Sequence, residues 1–119
     1  MGGSCEHSQG ALDVLAERRR QVQAEGFDAR HDAKYRNAEL LAAALTYGAR
    51  AAVTIKLRAR GTSDEEIEQA SARHGVPASW PWGRNWWKPH PLRKCLVIAA
   101  ALIIAQIDAI DRGAACDDK

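Results

Sequence analysis

The sequence predicts an all-α domain, a small helical bundle of about four helices with a tryptophan-rich loop before the last helix. Alanine is abundant, and β-branched residues are few outside the last segment, which favours helix over strand. Apolar residues recur at helical spacing, and no alternating strand pattern is present. The 119 residues correspond to one domain, and the composition of 46% hydrophobic and 27% charged residues is that of a globular protein.

The chain is expected to form one domain between two irregular ends. Residues 1–10 are polar and glycine-rich and are predicted to be disordered, residues 11–112 form the single helical domain, and residues 113–119 form a flexible tail. The first ten residues lack the apolar core of a signal peptide, and the longest apolar run, residues 95–105, is too short to span a bilayer. The three cysteines cannot all pair within one chain, so we expect reduced thiols in a cytoplasmic protein.

The first two helices are predicted from apolar periodicity and from their end signals. The first covers residues 11–24, and the residues on its apolar side are Leu12, Leu15, Arg19 and Val22. The second covers residues 38–57, with Asn37 as its N-cap. Its apolar stripe comprises Leu41, Leu45 and Ala52, with Leu40, Ala44 and Tyr47 beside it.

The last two helices are separated by the tryptophan-rich loop. Ser63 and Glu66 form a capping box that opens a third helix, which ends near His74 because Gly75 and then Pro77 follow. The last helix is predicted from Pro91 to about Asp111. Its apolar stripe comprises Leu96, Ala99, Ile103, Ile107 and Ile110. This face is broader than one neighbour would cover, which predicts burial between several helices or in an oligomer.

All four tryptophans of the chain lie in residues 80–87, among prolines and a glycine that prevent a long regular element. So much aromatic surface is too costly to leave in water, so the loop must pack on the core, on another subunit or on a ligand. We expect core or subunit packing first and direct ligand contact second, because buried aromatic residues are most often structural.

Carboxylates on facing helices can hold a metal ion in a small helical bundle. The candidate acids are Glu17, Glu25, Asp32, Glu39 and Asp108. Glu39 is the strongest of them because it begins a helix beside two leucines. The neighbouring His31 and Asp32 can share a metal or position a water molecule. For any one of these residues alone, a surface acid or a capping role is the more frequent explanation.

The positive charge of the chain is local. Arg18, Arg19 and Arg20 occupy successive positions and therefore point around the first helix, so at least one should face inward or meet an acid. A buried arginine, or Lys88 beside Trp87, could hold a phosphate; a solvated surface with one ion pair is the alternative. No glycine-rich phosphate loop and no nucleophile arrangement is present.

Several of these motifs together resemble a family of small phage and prophage proteins. The similar segments are Glu-Arg-Arg-Arg-Gln at residues 17–21, Glu-Gly at 25–26, His-Asp at 31–32, Glu-Leu at 39–40, Trp-Pro-Trp at 80–82 and Trp-Trp-Lys-Pro at 86–89. The apolar helix at residues 93–107 also follows the family pattern. The resemblance covers residues 15–48 and 80–112, and the motifs together are fairly specific.

Members of this family are labelled as N-terminal domains of dATP/dGTP diphosphohydrolases and resemble the MazG-type all-α nucleotide pyrophosphohydrolases. The resemblance implies an oligomeric helical bundle that cleaves a (d)NTP to (d)NMP and pyrophosphate with Mg²⁺ or Mn²⁺. Carried onto this chain, Glu17, Asp32 and Glu39 would hold the metal, and Glu39 and His31 would act in catalysis. The nucleotide would be bound by Arg19, Trp82, Trp86, Trp87 and Lys88.

The sequence departs from the family pattern in the last helix. Cys95 stands where relatives carry an acid or amide, and Gln106 stands where they carry Glu. These departures motivate a second hypothesis, a non-catalytic binding protein that recognises a host protein or a nucleotide in phage–host conflict. A third hypothesis, nucleic-acid binding through the arginines and tryptophans, is opposed by a net charge of only +2.

Overall fold

The computed structural model of the protein describes residues 7–24 and 38–117. The described elements are α1 (Gln9–Ala24), α2 (Glu39–Ala59), α3 (Asp64–His74), a single 3₁₀ turn (Arg84–Trp86) and α4 (Leu92–Asp117). Within these ranges there is no strand, and the predicted all-α fold with four helices is confirmed. Several boundaries differ from the prediction. α1 begins at Gln9 instead of residue 11, α2 covers Glu39–Ala59 instead of residues 38–57, and α4 begins at Leu92 and continues as helix to Asp117.

α4 is the central helix of the protein. α1 and α2 both pack against it, and α3 packs against α2. The core lies chiefly in the seam between α2 and α4, closed at one end by Trp80. The buried residues of this seam are Leu40, Ala43, Ala44, Tyr47 and Ala51 from α2, and Cys95, Ile98, Ala99, Leu102 and Ala105 from α4. Most of them are small, which lets the two helix axes approach closely.

The apolar stripes predicted from the sequence are largely not the buried ones. In α4, Ala99 is buried, but the predicted large residues of the stripe are exposed: Leu96 is 45%, Ile103 40%, Ile107 50% and Ile110 59% exposed. In α2, Leu45 is 60% exposed, and in α1 Leu12 and Leu15 are 46% and 44% exposed. The physical reason is that α2 and α4 are apolar over much of their circumference and meet through small side chains, whereas α1 turns the polar residues Glu17 and Gln21 inward.

α2 begins at a residue that cannot cap it. The N-cap position is Ala38 rather than the predicted Asn37, which lies outside the described residues. Ala38 has a φ of 64°, in the left-handed region that few residues other than glycine adopt, and no side chain caps the helix locally. Instead, the Leu41 amide donates a hydrogen bond of 3.3 Å to Oε1 of Gln106 on α4. A long-range contact therefore does what a local cap does in other helices.

α3 follows the sequence prediction closely. The capping box is present: Ser63 Oγ accepts a hydrogen bond of 3.1 Å from the Glu66 amide, and the Ser63 amide donates one of 3.1 Å to Glu66 Oε1. Gly75, at a φ of 69°, ends the helix. Only Ile67 of α3 is buried, so the helix contributes little to the core and depends on its ends.

By length and composition alone, α2 could cross a membrane. The same test is passed by core helices of soluble proteins, and here the inner face of α2 packs on α4. The compact fold of the described residues is consistent with a soluble protein.

Candidate functional site

The tryptophan-rich loop folds back onto α2 and builds an aromatic cluster, defined here as Tyr47, Trp80, Trp82 and Trp87. Trp87 stacks on Tyr47 with ring centroids 4.9 Å apart and planes 28° apart, and Trp80 meets Tyr47 edge-on at 5.6 Å. Trp82 meets Trp80 edge-on at 5.3 Å. Trp80 is buried, and Trp82 and Trp87 are partly buried against the core. These offset and edge-on geometries favour aromatic packing, so the expectation that the loop packs on the core is confirmed.

Hydrogen bonds fix the loop in this position. Trp80 Nε1 donates to the Gly83 carbonyl at 3.1 Å, and the Tyr47 hydroxyl donates to the Lys88 carbonyl at 3.3 Å. The 3₁₀ turn leaves the Trp86 ring 69% exposed, and the Lys88 side chain is exposed as well. Of the four loop residues predicted to bind a ligand, Trp82 and Trp87 therefore lie in the aromatic cluster, whereas Trp86 and Lys88 face solvent.

The inward side of α1 is polar. Glu17 is 7% exposed and Gln21 is 1% exposed. Arg20 donates two hydrogen bonds to the Glu17 carboxylate, from Nε at 2.9 Å and from Nη2 at 2.7 Å, and Gln21 Nε2 donates a longer one of 3.3 Å. The second polar atom of the Gln21 amide, Oε1, is buried, and the described residues offer it no hydrogen-bond donor. A buried acceptor without a donor is costly, which makes this atom notable.

The carboxyl group of Glu17 is ionised at neutral pH. Burial alone would raise its pKa, but the hydrogen bonds and positive charge of Arg20, together with Gln21 and Lys94, outweigh this and lower the pKa. The site thus combines a buried negative charge with a guanidinium that already compensates it.

His90 lies in the same electrostatic neighbourhood, just before α4. Its partly buried ring is 6.0 Å from the Tyr47 ring. Burial lowers the pKa of His90, and the positive charge of Lys94 lowers it further, while the charge of Glu17 acts in the opposite direction. The imidazole is therefore neutral at pH 7 and can donate one hydrogen bond and accept another.

Glu39 begins α2 and is partly buried. The start of α2 is tied to the second half of α4 by the bond from Leu41 to Gln106. Two residues further along α4, Asp108 lies 3.9 Å from Arg18 of α1. Together with the pairing of Arg20 and Glu17, this confirms that the three successive arginines of α1 include residues that meet acids. Arg19, the predicted phosphate ligand, is exposed.

No group of three His, Cys, Asp or Glu side chains that could hold a metal ion is found in residues 7–24 and 38–117. Of the predicted metal ligands, Glu17 and Glu39 belong to this part of the chain. Asp32 and the predicted catalytic residue His31 lie outside the described residues. The Glu17 carboxylate accepts hydrogen bonds from Arg20 and Gln21 on α1. Glu39 begins α2, whose first turn is held by the hydrogen bond from the Leu41 amide to Gln106.

A second polar concavity lies between α2, α3 and the tryptophan-rich loop. This open cleft, called here the Arg50 cleft, has a volume of about 390 Å³. Arg50 of α2 donates a hydrogen bond to Ser71 Oγ of α3 inside it, and His90 and Trp87 also line it. No role was predicted for Arg50 from the sequence. Sequence reasoning missed Ser71, His90 and Gln21 entirely.

Both departures from the family pattern have structural roles. Cys95 is fully buried in the core, and its thiol donates to the His90 carbonyl at 3.2 Å. Gln106 caps α2 through an oxygen that a carboxylate would also supply. An acid at residue 95 would be buried, whereas one at residue 106 would make the same kind of contact as Gln106 does.

No protein-family model matches the chain, and neither the curated proteins nor the solved structures include a match.

Proposed function

We propose that this chain is a phage-derived, nucleotide pyrophosphohydrolase-like protein that cleaves a (d)NTP to (d)NMP and pyrophosphate. The observation that carries the proposal is the buried pair of Glu17 and Gln21 on α1. An ionised carboxylate and an amide oxygen without a donor in the described part of the chain lie on the inner side of a small helical protein. Buried polar groups of this kind are more typical of a ligand site than of a core.

The chemistry of these two groups fits a Mg²⁺ or Mn²⁺ ion, because such ions prefer carboxylate and amide oxygens. Glu17 and Gln21 would hold the ion together with Glu39 and Asp32, and it would offset phosphate charge and activate water. A cation at Glu17 would replace the two hydrogen bonds that Arg20 donates to that carboxylate. His31 and Glu39 are the proposed general bases.

The nucleotide would be held by exposed cations and by an exposed aromatic ring. Arg19 and Lys88 are solvent-accessible and suited to phosphate contact. Trp86 is the tryptophan best able to stack on a base, since its ring is 69% exposed and the other three pack in the aromatic cluster. Trp82 and Trp87, also proposed as nucleotide contacts, would act from within that cluster.

The test is pyrophosphate release from a panel of dNTPs and NTPs with Mg²⁺ or Mn²⁺. The native protein is compared with Glu39→Ala and Glu17→Gln, and with Asp111→Ala as a control, because Asp111 is an exposed acid of α4. We expect both site variants to lose about 100-fold in rate or more, and the control to retain it. Thermal melting verifies that each variant is folded. Unchanged release in Glu39→Ala would rule out its assigned role.

The second candidate function is binding of a nucleotide or a host protein without catalysis. It is favoured by the pairing of Arg20 with Glu17, since a guanidinium already compensates the carboxylate on which a metal would bind. Under this hypothesis, a nucleotide binds in calorimetry with and without Mg²⁺, and no nucleotide in the panel releases pyrophosphate. Turnover of any nucleotide that Glu39→Ala abolishes would exclude this candidate.

We also propose a homo-oligomer in the cytoplasm, with no nucleic acid and no membrane as partner. Exposed isoleucines and leucines on α4 support self-association. The free thiol of Cys95 accords with a reducing compartment. The net charge of +2 gives little attraction to nucleic acid.

A further inference from the structure

The Arg50 cleft is a concave site formed by three separate parts of the chain. Its volume of about 390 Å³ falls within the range of small-molecule sites, roughly 300–1,000 Å³. The walls bring together a cation, a hydroxyl, an imidazole and apolar surface, from Arg50, Ser71, Val76, Trp87, Pro89 and His90. Of these residues, Trp87 is also assigned to the proposed hydrolytic site, as a nucleotide contact.

Arg50 is the anion-binding group of the cleft. It is partly buried, and the described chain places no carboxylate within ion-pair distance of it. Its hydrogen bond to Ser71 Oγ fixes the guanidinium but uses only one of its five N–H donors. Because the Ser71 oxygen accepts that bond, its own hydroxyl hydrogen is available for a ligand. The Arg50 guanidinium presents several N–H donors in one plane, next to the Ser71 hydroxyl. Together these donors can form hydrogen bonds with the oxygens of a phosphate group.

The charges around the cleft also favour an anion. Among the described residues, Glu68 is the only acid that lines it, and its side chain is exposed. Burial lowers the pKa of His90 most, the positive charge of Lys94 lowers it further, Glu17 raises it, and Lys88 and Arg20 lower it. His90 itself is neutral at pH 7, so it neither attracts nor repels an anion strongly and can donate a hydrogen bond.

Part of the cleft wall is apolar and held in place by aromatic packing. Trp87 is held by its stacking on Tyr47 and by an edge-on contact with Trp80 at 5.0 Å. Val76 and Pro89 extend this surface. Because these contacts already fix the Trp87 ring, it loses little conformational entropy when a flat ligand packs on it. This preorganisation favours binding.

We propose that the Arg50 cleft binds a nucleoside monophosphate, with its phosphate at Arg50 and Ser71 and its base against Trp87, Val76 and Pro89. Glu17 and Glu39 are not among the residues that line the cleft, and the proposal does not rest on the proposed hydrolysis. It requires no metal, because the anion is compensated by the guanidinium.

The experiment is isothermal titration calorimetry of the full chain with the common nucleoside 5′-monophosphates, in EDTA. The corresponding nucleosides and inorganic phosphate are titrated in parallel. The variants are Arg50→Gln and Ser71→Ala, and the control is Arg58→Gln, an exposed arginine of the same helix that pairs with Asp64. We expect Arg50→Gln to weaken the binding of a monophosphate at least tenfold, Ser71→Ala to weaken it less, and Arg58→Gln to leave it unchanged.

Three outcomes would overturn the proposal. Binding that is absent from the native protein, or equal in native and Arg50→Gln, would exclude Arg50 as the phosphate ligand. A nucleoside that binds as tightly as its monophosphate would exclude a phosphate subsite. Inorganic phosphate that binds as tightly as the monophosphate would exclude the base subsite.

Thermal melting of each variant shows whether it is folded. If Arg50→Gln does not fold, Ser71→Ala still tests the phosphate subsite. EDTA removes the metal that the proposed hydrolysis needs, so failure of one proposal does not imply failure of the other.

Discussion

His90 is the residue where the aromatic cluster, the polar side of α1 and the Arg50 cleft meet. Burial and then the charge of Lys94 lower its pKa below its ordinary value near 6.5, and Glu17 only partly opposes this. The unfolded chain therefore takes up a proton at a higher pH than the folded chain. It follows that folding stability depends on pH through this residue.

We predict that the free energy of unfolding falls as the pH is lowered below about 6.5. The stabilisation by neutral His90 is complete above that pH and is lost once the pH passes below the folded-state pKa. The measurement is urea unfolding between pH 7.5 and pH 5 for the native protein and for His90→Gln, with His74→Gln as a control at an exposed histidine of α3. His90→Gln should show a shallower pH dependence than the other two proteins. Parallel curves for all three would contradict this role of His90.

The candidate site could be predicted only in part at the scale of residues. Glu17 and Glu39 were predicted as metal ligands because a carboxylate is a typical ligand, and this assignment stays a prediction. Gln21 was missed because nothing in the sequence shows that its amide is buried without a hydrogen-bond donor for Oε1 in the described chain. Arg50 and Ser71 come together only when α3 packs on α2, which no local pattern in the sequence reveals.

At the scale of elements, the sequence predicted where the helices lie better than it predicted which side of each helix is buried. The capping box of α3 lies within four consecutive residues, so the sequence contains the whole interaction. The buried side of α4 was assigned to its largest apolar residues, yet the structure buries Cys95, Ala101 and Ala105 and leaves Ile107 half exposed. When a helix is apolar on several sides, the spacing of its apolar residues does not show which side is buried.

The capping box should contribute measurably to stability. We predict that Ser63→Ala lowers the free energy of unfolding by about 1 kcal/mol, because the Glu66 amide loses its acceptor. α3 has only Ile67 buried, so little core packing compensates for the loss. The measurement is urea unfolding at pH 7.5.

The matched control for the cap is Glu66→Gln, which keeps a side-chain oxygen for the Ser63 amide. It should be destabilised much less than Ser63→Ala. Equal unfolding midpoints for Ser63→Ala and the native protein would show that the cap contributes nothing.

At the scale of the whole molecule, the fold class was accessible from the sequence because helices form from local interactions. The way the helices are joined was not. α2 is capped by Gln106, a residue 65 positions away in the chain, and the core seam is built from small residues on two helices that the loop separates. Such contacts depend on the tertiary arrangement, which a single sequence does not encode in any short pattern.

The exposed face of α4 leads to the last prediction. Leu96, Ile103, Ile107 and Ile110 follow one another at spacings of seven, four and three residues, so they form one narrow strip along the helix. Each is at least 40% exposed, and a strip of large exposed apolar residues is unusual on a soluble monomer. We predict that it is buried between copies of the chain, which would also account for the breadth of the apolar face.

Size-exclusion chromatography with light scattering should therefore give the native protein a mass above the 13.0 kDa of one chain. Ile107→Glu should lower this mass towards one chain, because it places a charge in the buried strip. Ile55→Glu is a closely matched control, since Ile55 is 49% exposed on α2 and Ile107 is 50% exposed on α4. A native protein that stays monomeric at high concentration would contradict oligomerisation. Equal masses for the two variants would instead show that another surface joins the subunits, because only Ile107 belongs to the strip.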